Sequence, residues 1–239
     1  MNYRNVALIP ARGGSKRIPG KNIKEFCGEP IIAYSIKHAQ ECELFQKVIV
    51  STESKEIAEV AEHYGAEVPF MRPTKLADDY TGTNAVIIHA LKWLQENDHT
   101  YDYACCIYPT APLATKTLLI KGFELLIKNE ATSVFSVTTY PSAIFRSLKI
   151  NERNRLELIW PEYKKTRSQD LLEAYHDAGQ FYWIDVTKYL MGEEILSEDS
   201  IPLIIPRFNV IDIDTKEDWI FSELLYETIR RRENNGKKL

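Results

Sequence analysis

Directly behind a short apolar run, Val6 to Ile9, the chain reads Pro10-Ala11-Arg12-Gly13-Gly14-Ser15-Lys16-Arg17-Ile18-Pro19-Gly20-Lys21-Asn22. This reads as a strand ending in a phosphate loop. The adjacent glycines let the backbone approach a ligand closely and take up φ > 0, so that successive N–H groups point into one anion-binding concavity. Arg12, Lys16, Arg17 and Lys21 crowd the same stretch, and their self-repulsion is costly unless a polyanion lies among them. A triphosphate meets that need. The spacing matches neither the G-x-x-x-x-G-K-[ST] nor the G-x-G-x-x-G loop. Out of context, the same cluster suits a solvated basic loop or a nucleic-acid contact; the strand before it favours the nucleotide.

The residues C-terminal to the loop set it in an α/β frame. Pro30 to Gln40 has helical spacing through Ile32, Ile36 and Ala39, and Val48 to Thr52 is a short buried strand. Ser54 is placed to cap a helix whose stripe is Ile57, Ala58 and Ala61, with Gly65 as its left-handed stop. Glu67 to Met71 reads as a third strand. It runs into Arg72-Pro73 and a polar loop, Thr74 to Gly82, of the kind that binds ligands where open α/β sheets end. Thr81 or Thr83 is the candidate cap of the next helix, whose buried face is Val86, Ile87, Ala90, Leu91 and Leu94. Tyr103 to Tyr108 is again a strand, closed by a turn that Pro109 and Pro112 make rigid. A helix starting near Thr115 or Thr117 runs to Asn129, and Ser133 to Thr139 is another strand. Such alternation predicts a Rossmann-like, mostly parallel sheet with helices on both faces.

The 239 residues, 44% of them hydrophobic, suffice for one substantial core. A formal charge of −4 argues against a general nucleic-acid binder, because the cations are local. No run is long enough to span a bilayer, and the N-terminus enters a strand with no leader; the expectation is a cytoplasmic protein without membrane contact. Cys27, Cys42, Cys105 and Cys106 include no C-x-x-C pair, so reduced thiols are expected rather than a zinc site.

Near the far end, Val210-Ile211-Asp212-Ile213-Asp214-Thr215 puts two carboxylates on one side of an extended segment, with Ile211 and Ile213 toward the core. Asp212 and Asp214 are hard oxygen ligands suited to Mg²⁺. Asp214 or Thr215 is also placed to cap the last helix, with Asp218 completing a near capping box, and both roles can hold together. That helix ends in Arg230-Arg231-Arg232 and, beyond, Lys237-Lys238, which suit its dipole and are expected to fray.

Three segments carry a resemblance: the loop A-R-x-x-S-K-R-x-x-x-K-N, the turn Tyr108-Pro109-Thr110-Ala111-Pro112-Leu113, and Asp212-Ile213-Asp214-Thr215. Together they resemble the CMP-sialic acid synthetase family, cytidylyltransferases that activate nine-carbon keto sugar acids. The resemblance spans nearly the whole chain and implies CTP and a nine-carbon keto sugar acid as partners, with Mg²⁺ on Asp212 and Asp214. It implies that Ala11, Arg12, Gly13, Gly14, Ser15, Asn22, Arg72, Thr81 and Thr83 hold the nucleotide. Arg12, Lys16, Lys21, Asp212 and Asp214 are then the catalytic set. The family's turn begins with Gln where this chain has Tyr108, which points to a different substituent pattern on the sugar.

A second polar and aromatic patch spans Arg167-Ser168-Gln169-Asp170 and Tyr175-His176-Asp177-Ala178-Gly179-Gln180-Phe181-Tyr182-Trp183. It looks like a pocket for a carboxylate sugar. A guanidinium fits a carboxylate as a bidentate fork and an aromatic face packs on sugar C–H surface, so Arg167 and Tyr182 lead the candidates. Tyr108, Gln169, His176 and Gln180 complete the substrate set, although a lone His is as readily structural. The patch departs from the Arg-Pro-Asn-Gly pattern of the N-acetylneuraminate enzymes and resembles the pseudaminic acid branch. The helical signals vanish between Tyr140 and Tyr163, where 145–150 and 156–159 read as a hairpin about Asn151-Glu152-Arg153-Asn154. A lone hairpin is marginal in water. The expectation is one domain over 1–239 with an inserted dimerisation and sugar-pocket subdomain at 140–190, whose arm packs on a second subunit to give a homodimer.

Overall fold

The structure, a computed structural model, describes residues 3–236. In chain order its elements are β1 (Asn5–Pro10), β2 (Glu25–Phe26), β3 (Glu29–Pro30), α1 (Ile31–Glu41), β4 (Lys47–Ser51) and α2 (Lys55–His63). Next come α3 (Thr83–Glu96), β5 (Tyr103–Ile107), α4 (Lys116–Asn129) and β6 (Ser133–Thr139). The rest comprises β7 (Leu148–Ile150), β8 (Leu156–Leu158), β9 (Tyr175–Asp185), α5 (Val186–Leu190), β10 (Ser200–Ile204) and α6 (Lys216–Asn234).

Among the described residues one sheet has six strands in the order β10, β6, β9, β5, β1, β4. β4, β1 and β5 run parallel, as do β6 and β10, and β9 lies antiparallel between β5 and β6. Because successive strand residues face opposite sides, each central strand feeds two cores. Ala7, Ile9, Cys105, Ile107, Phe181 and Trp183 pack under Ile32 and Ile36 of α1, Ile57 of α2 and Leu119 of α4. Val6, Leu8, Ala104, Cys106, Tyr182 and Ile184 pack under Ile87, Leu91 and Leu94 of α3 and Tyr189 of α5. Helices therefore cover both faces, as the alternation predicts. A third cluster, Phe26, Ile31, Tyr34, Ile213 and Trp219, fastens the start of α6 beside the loop after β1.

Several caps fall where the sequence puts them. The Ser54 hydroxyl accepts from Ile57 N, Asp185 accepts from Lys188 N, and Gly65 has φ +86°. Thr215, not Asp214, caps α6: its hydroxyl accepts from Asp218 N, while Asp218 accepts from Thr215 N at 2.7 Å in a reciprocal box. Lys237 and Lys238 lie outside the described residues.

Other expectations need correction. Glu67 to Met71 is not a strand; only isolated bridges join Glu67 to Ile49 and Met71 to Thr52, because Pro69 between them has no N–H to give a ladder. Gly82 occupies the N-cap of α3 without a side-chain bond, since the Thr83 hydroxyl pairs with Tyr108 Oη and the Thr81 hydroxyl donates to Lys75 O. Thr115 is the N-cap of α4, also without a side-chain bond. The stretch 140–190 divides instead of forming one insert. β9 is a central strand of the main sheet, while β7 and β8 form a separate two-stranded sheet with Leu148, Ile150 and Leu156 exposed.

Candidate active site

The loop after β1, Glu53 after β4 and the turn after β5 all leave the carboxyl ends of three neighbouring parallel strands, where an open α/β sheet has its crevice. A cavity of about 430 Å³ lies there, lined by Arg12, Ser15, Arg17, Lys21, Asn22 and Arg72, by Asp78, Asp79, Thr81 and Thr83, and by Tyr108 to Thr110. Six of the nine candidate nucleotide residues, Arg12, Ser15, Asn22, Arg72, Thr81 and Thr83, thus line one space, and Ala11, Gly13 and Gly14 do not. Ala11 is buried and its N–H donates to Ser51 O, which fixes the loop to β4. Asn22 donates its amide to Arg12 O at 2.9 Å and pins the loop from within. The glycines act differently from expectation: Gly20, not Gly13 or Gly14, takes positive φ. Gly13 serves close approach, for a Cβ there would meet Ser54 Cβ at 3.2 Å.

The acidic pair meets this cradle from the other end of the chain. Lys21 Nζ donates to Ile213 O at 2.6 Å and stands 3.8 Å from Asp214 Oδ1, and Arg17 donates to that same oxygen at 2.6 Å. Burial pushes the Lys21 ammonium below its usual range against the pull of Asp214 and Asp212. Burial, then the neighbouring Asp214 charge, raises the Asp212 carboxyl. Both carboxylates are hard oxygen donors, and the charge that Asp214 places beside Asp212 favours a cation there. The described residues hold no cluster of three or more His, Cys, Asp or Glu able to bind a metal alone. Asp212 and Asp214 are two carboxylates, a number that Mg²⁺ accepts when phosphate and water supply its other ligands.

Two acidic partners are not legible in the sequence as site residues. Glu53 accepts from Gly13 N at 2.7 Å and pairs with Arg72 at 3.0 Å, the Arg72 side chain being 3% exposed. Its one signal in the sequence is its place just past the end of a parallel strand. Glu53→Ala strands a buried guanidinium whose Nε already lacks a partner among the described residues. The expected loss is about 3 kcal/mol, read as a lower midpoint in a thermal melt; an unchanged midpoint would show the pair to be solvated. Asp79 is the other, paired with Arg12 at 2.8 Å and with Lys16.

A second cavity, of about 470 Å³, shares Thr83 and Tyr108 with the first and continues along β9 past His176, Asp177 and Tyr182. Phe135, Val137, Ile195 and Leu196 give it apolar walls, and Asn84 and Glu194 add polar groups. Tyr182 donates to Asp177 Oδ2 at 2.6 Å, and burial raises both Tyr182 and Tyr108. His176 Nδ1 pairs with Asp177 O at 2.8 Å and its ring packs on Tyr140.

Three substrate candidates stand elsewhere. Gln180 is 1% exposed, lines neither cavity and donates to Asn209 O. The register between β6 and β9 shifts here, with Gly179 at φ +61°, so that simple alternation along β9 fails at Gln180. Arg167 is 71% exposed, its fork taken by Asp170 at 2.6 and 3.1 Å, and Gln169 lies in the same exposed turn. Within one chain neither reaches the second cavity.

Comparison with known proteins bears on the family and the fold. The sequence profile of a family described as cytidylyltransferase matches residues 6–201. A pseudaminic acid cytidylyltransferase of Campylobacter jejuni is 42% identical over 94% of this chain and 97% of its own length. A CMP-N,N'-diacetyllegionaminic acid synthase of Legionella pneumophila is 32% identical over the same shares. Among solved structures, a CMP:2-keto-3-deoxy-manno-octonic acid synthetase complexed with CTP superimposes with a TM-score of 0.68 at 14% identity, covering 94% of this chain and 99% of that one. That likeness concerns the fold.

Proposed function

Because the chain belongs to the cytidylyltransferase family, we propose that it transfers CMP from CTP to the anomeric hydroxyl of a nine-carbon 2-keto sugar acid, pseudaminic acid first among them, with release of pyrophosphate. One observation carries the reading: Lys21, in the wall of the first cavity, reaches the segment before α6 through Ile213 O and Asp214, so the acidic pair stands beside that cavity without lining it. The first cavity holds the nucleotide. The second holds the sugar, whose reacting hydroxyl reaches the α-phosphate past Thr83 and Tyr108, the residues common to both spaces. Its apolar walls suit acylated and deoxygenated positions better than a fully hydroxylated tail. No helix of the described residues is long and apolar enough to cross a membrane, in keeping with work in the cytoplasm on soluble substrates.

Arg12, Lys16 and Lys21 neutralise charge on the phosphate chain, which is most of what a protein supplies to phosphoryl chemistry. Lys21 stands deepest and is aimed by the Ile213 carbonyl. Asp212 and Asp214 would hold Mg²⁺, which when bound supplies further positive charge to the phosphate oxygens.

The β7–β8 arm is assigned to a homodimer. Leu148, Ile150, Leu156 and Leu172 are more than half exposed, at 54, 69, 71 and 78%, and a two-stranded sheet gains stability only by packing on something. Sedimentation should give twice the chain mass; a monodisperse monomer at micromolar concentration would remove the assignment.

The substrate assignment is tested by pyrophosphate release from CTP, UTP and dTTP with pseudaminic, legionaminic and N-acetylneuraminic acids. Release with CTP and pseudaminic acid at the highest kcat/KM is expected. A preference for UTP, or for the N-acetylneuraminate sugar, would overturn the corresponding half.

A further inference from the structure

We infer that Asp79 is an internal competitor for the phosphate site, holding Arg12 and Lys16 until a phosphate chain takes both and reclaiming them as pyrophosphate leaves. This deepens the nucleotide reading of the first cavity and rests on it. Arg12 Nη1 donates to Asp79 Oδ1 and to Asp78 O, each at 2.8 Å, and Lys16 Nζ pairs with Asp79 Oδ2. Both oxygens of one carboxylate are thus spent on the two cations flanking the glycine pair. Carboxylate and phosphate oxygens are the same class of acceptor for these donors. A phosphate chain lodged there competes with the Asp79 carboxylate for the same two positive charges.

The cradle contains three kinds of pair, and they differ in how readily they exchange. Arg72–Glu53 is buried, and breaking it leaves an uncompensated charge. Asp214 is held by Arg17 and Lys21 and by the segment that Trp219 and Ile213 fasten to the core. Neither Asp79 pair is buried, Lys16 being 80% exposed and Arg12 and Asp79 36 and 34%, so solvent screens both, the Lys16 pair most. Asp79 also sits on a loop between Pro73 and Gly82 that folds on itself: Asp78 Oδ1 accepts from Tyr80 N at 3.0 Å and from Thr81 N at 2.7 Å. Exchanging Asp79 for a phosphate oxygen therefore leaves this turn intact and releases it from Lys16, while Arg12 keeps its bond to Asp78 O.

The test is isothermal titration of the full chain with inorganic pyrophosphate in metal-free buffer, wild type against Asp79→Asn, with Asp79→Ala as a second variant. Removing the competing charge should tighten pyrophosphate about three- to tenfold, the scale of two exposed ion pairs. In turnover, inhibition by added pyrophosphate should strengthen by a similar factor, with thermal midpoints unchanged. Equal or weaker pyrophosphate binding in both variants, where the wild type binds, would overturn the role of Asp79 alone. If neither wild type nor variants bind pyrophosphate at millimolar concentration, the cavity is not a phosphate site, and the nucleotide reading falls with the inference.

Discussion

Asp214→Asn is expected to lower turnover by about 100- to 1000-fold, the usual cost of removing one aligned charge from a reacting site, while the fold melts almost where it did. The two halves of that result have separate causes. Asp214 is in contact with Arg17 and Lys21, and in the proposed reaction it and Asp212 would offer hard anionic oxygen to a cation, which the neutral amide cannot replace. Its structural share is small. The Arg17 partner is 66% exposed, and exposed ion pairs contribute about 0–1 kcal/mol. The cap of α6 belongs to Thr215 and Asp218 and is untouched. Initial rates with CTP and sugar acid, beside a thermal melt of the same preparation, separate these effects. Turnover within a few fold of wild type would remove the metal role from Asp214.

Lys21→Ala is expected to act on kcat more than on KM, again by about 100-fold or more. The reason is placement. Lys21 is 20% exposed on its side chain, against 80% for Lys16, and is held by the Ile213 carbonyl. A desolvated, pre-aimed ammonium acts most strongly on charge that builds up in the transition state. Lys16, out in solvent, is expected to affect phosphate binding more than turnover. Full saturation curves for Lys21→Ala decide the matter: a rise in KM at constant kcat would make Lys21 a ground-state contact.

The sequence is most readable where one local rule dominates. Short apolar runs become buried strands because parallel strands have no polar face to show, and Ser54 and Asp185 become caps because nothing competes for their oxygens. The basic loop is legible from charge density, but its direct contact with Asp214 through Arg17 and Lys21 is not, since those cations call only for a polyanion among them. Illegible features depend on partners distant in sequence. The antiparallel course of β9 through the middle of a parallel sheet comes from the pairing of β5 and β6 with it, not from its own residues. The burial of Gln180 comes from a register shift that alternation does not foresee. Thr83 is drawn from capping to Tyr108 by a turn 25 residues away. Glu53 and Asp79 look like ordinary surface acids until β4 and the loop before α3 bring them to Gly13, Arg72, Arg12 and Lys16. Arg167 and Gln169 stay on the arm, where their reach depends on what the arm packs against.

A crystal structure of the chain grown with a non-hydrolysable CTP analogue and Mg²⁺ bears most directly on the central claim, that the loop after β1 and the carboxylates before α6 hold opposite sides of one nucleotide. The phosphate chain is expected between Lys21 and a metal on Asp212 and Asp214, with Arg12 and Lys16 turned from Asp79 to phosphate oxygens. A nucleotide bound with its phosphates away from Lys21, or a metal held without either aspartate, would contradict it.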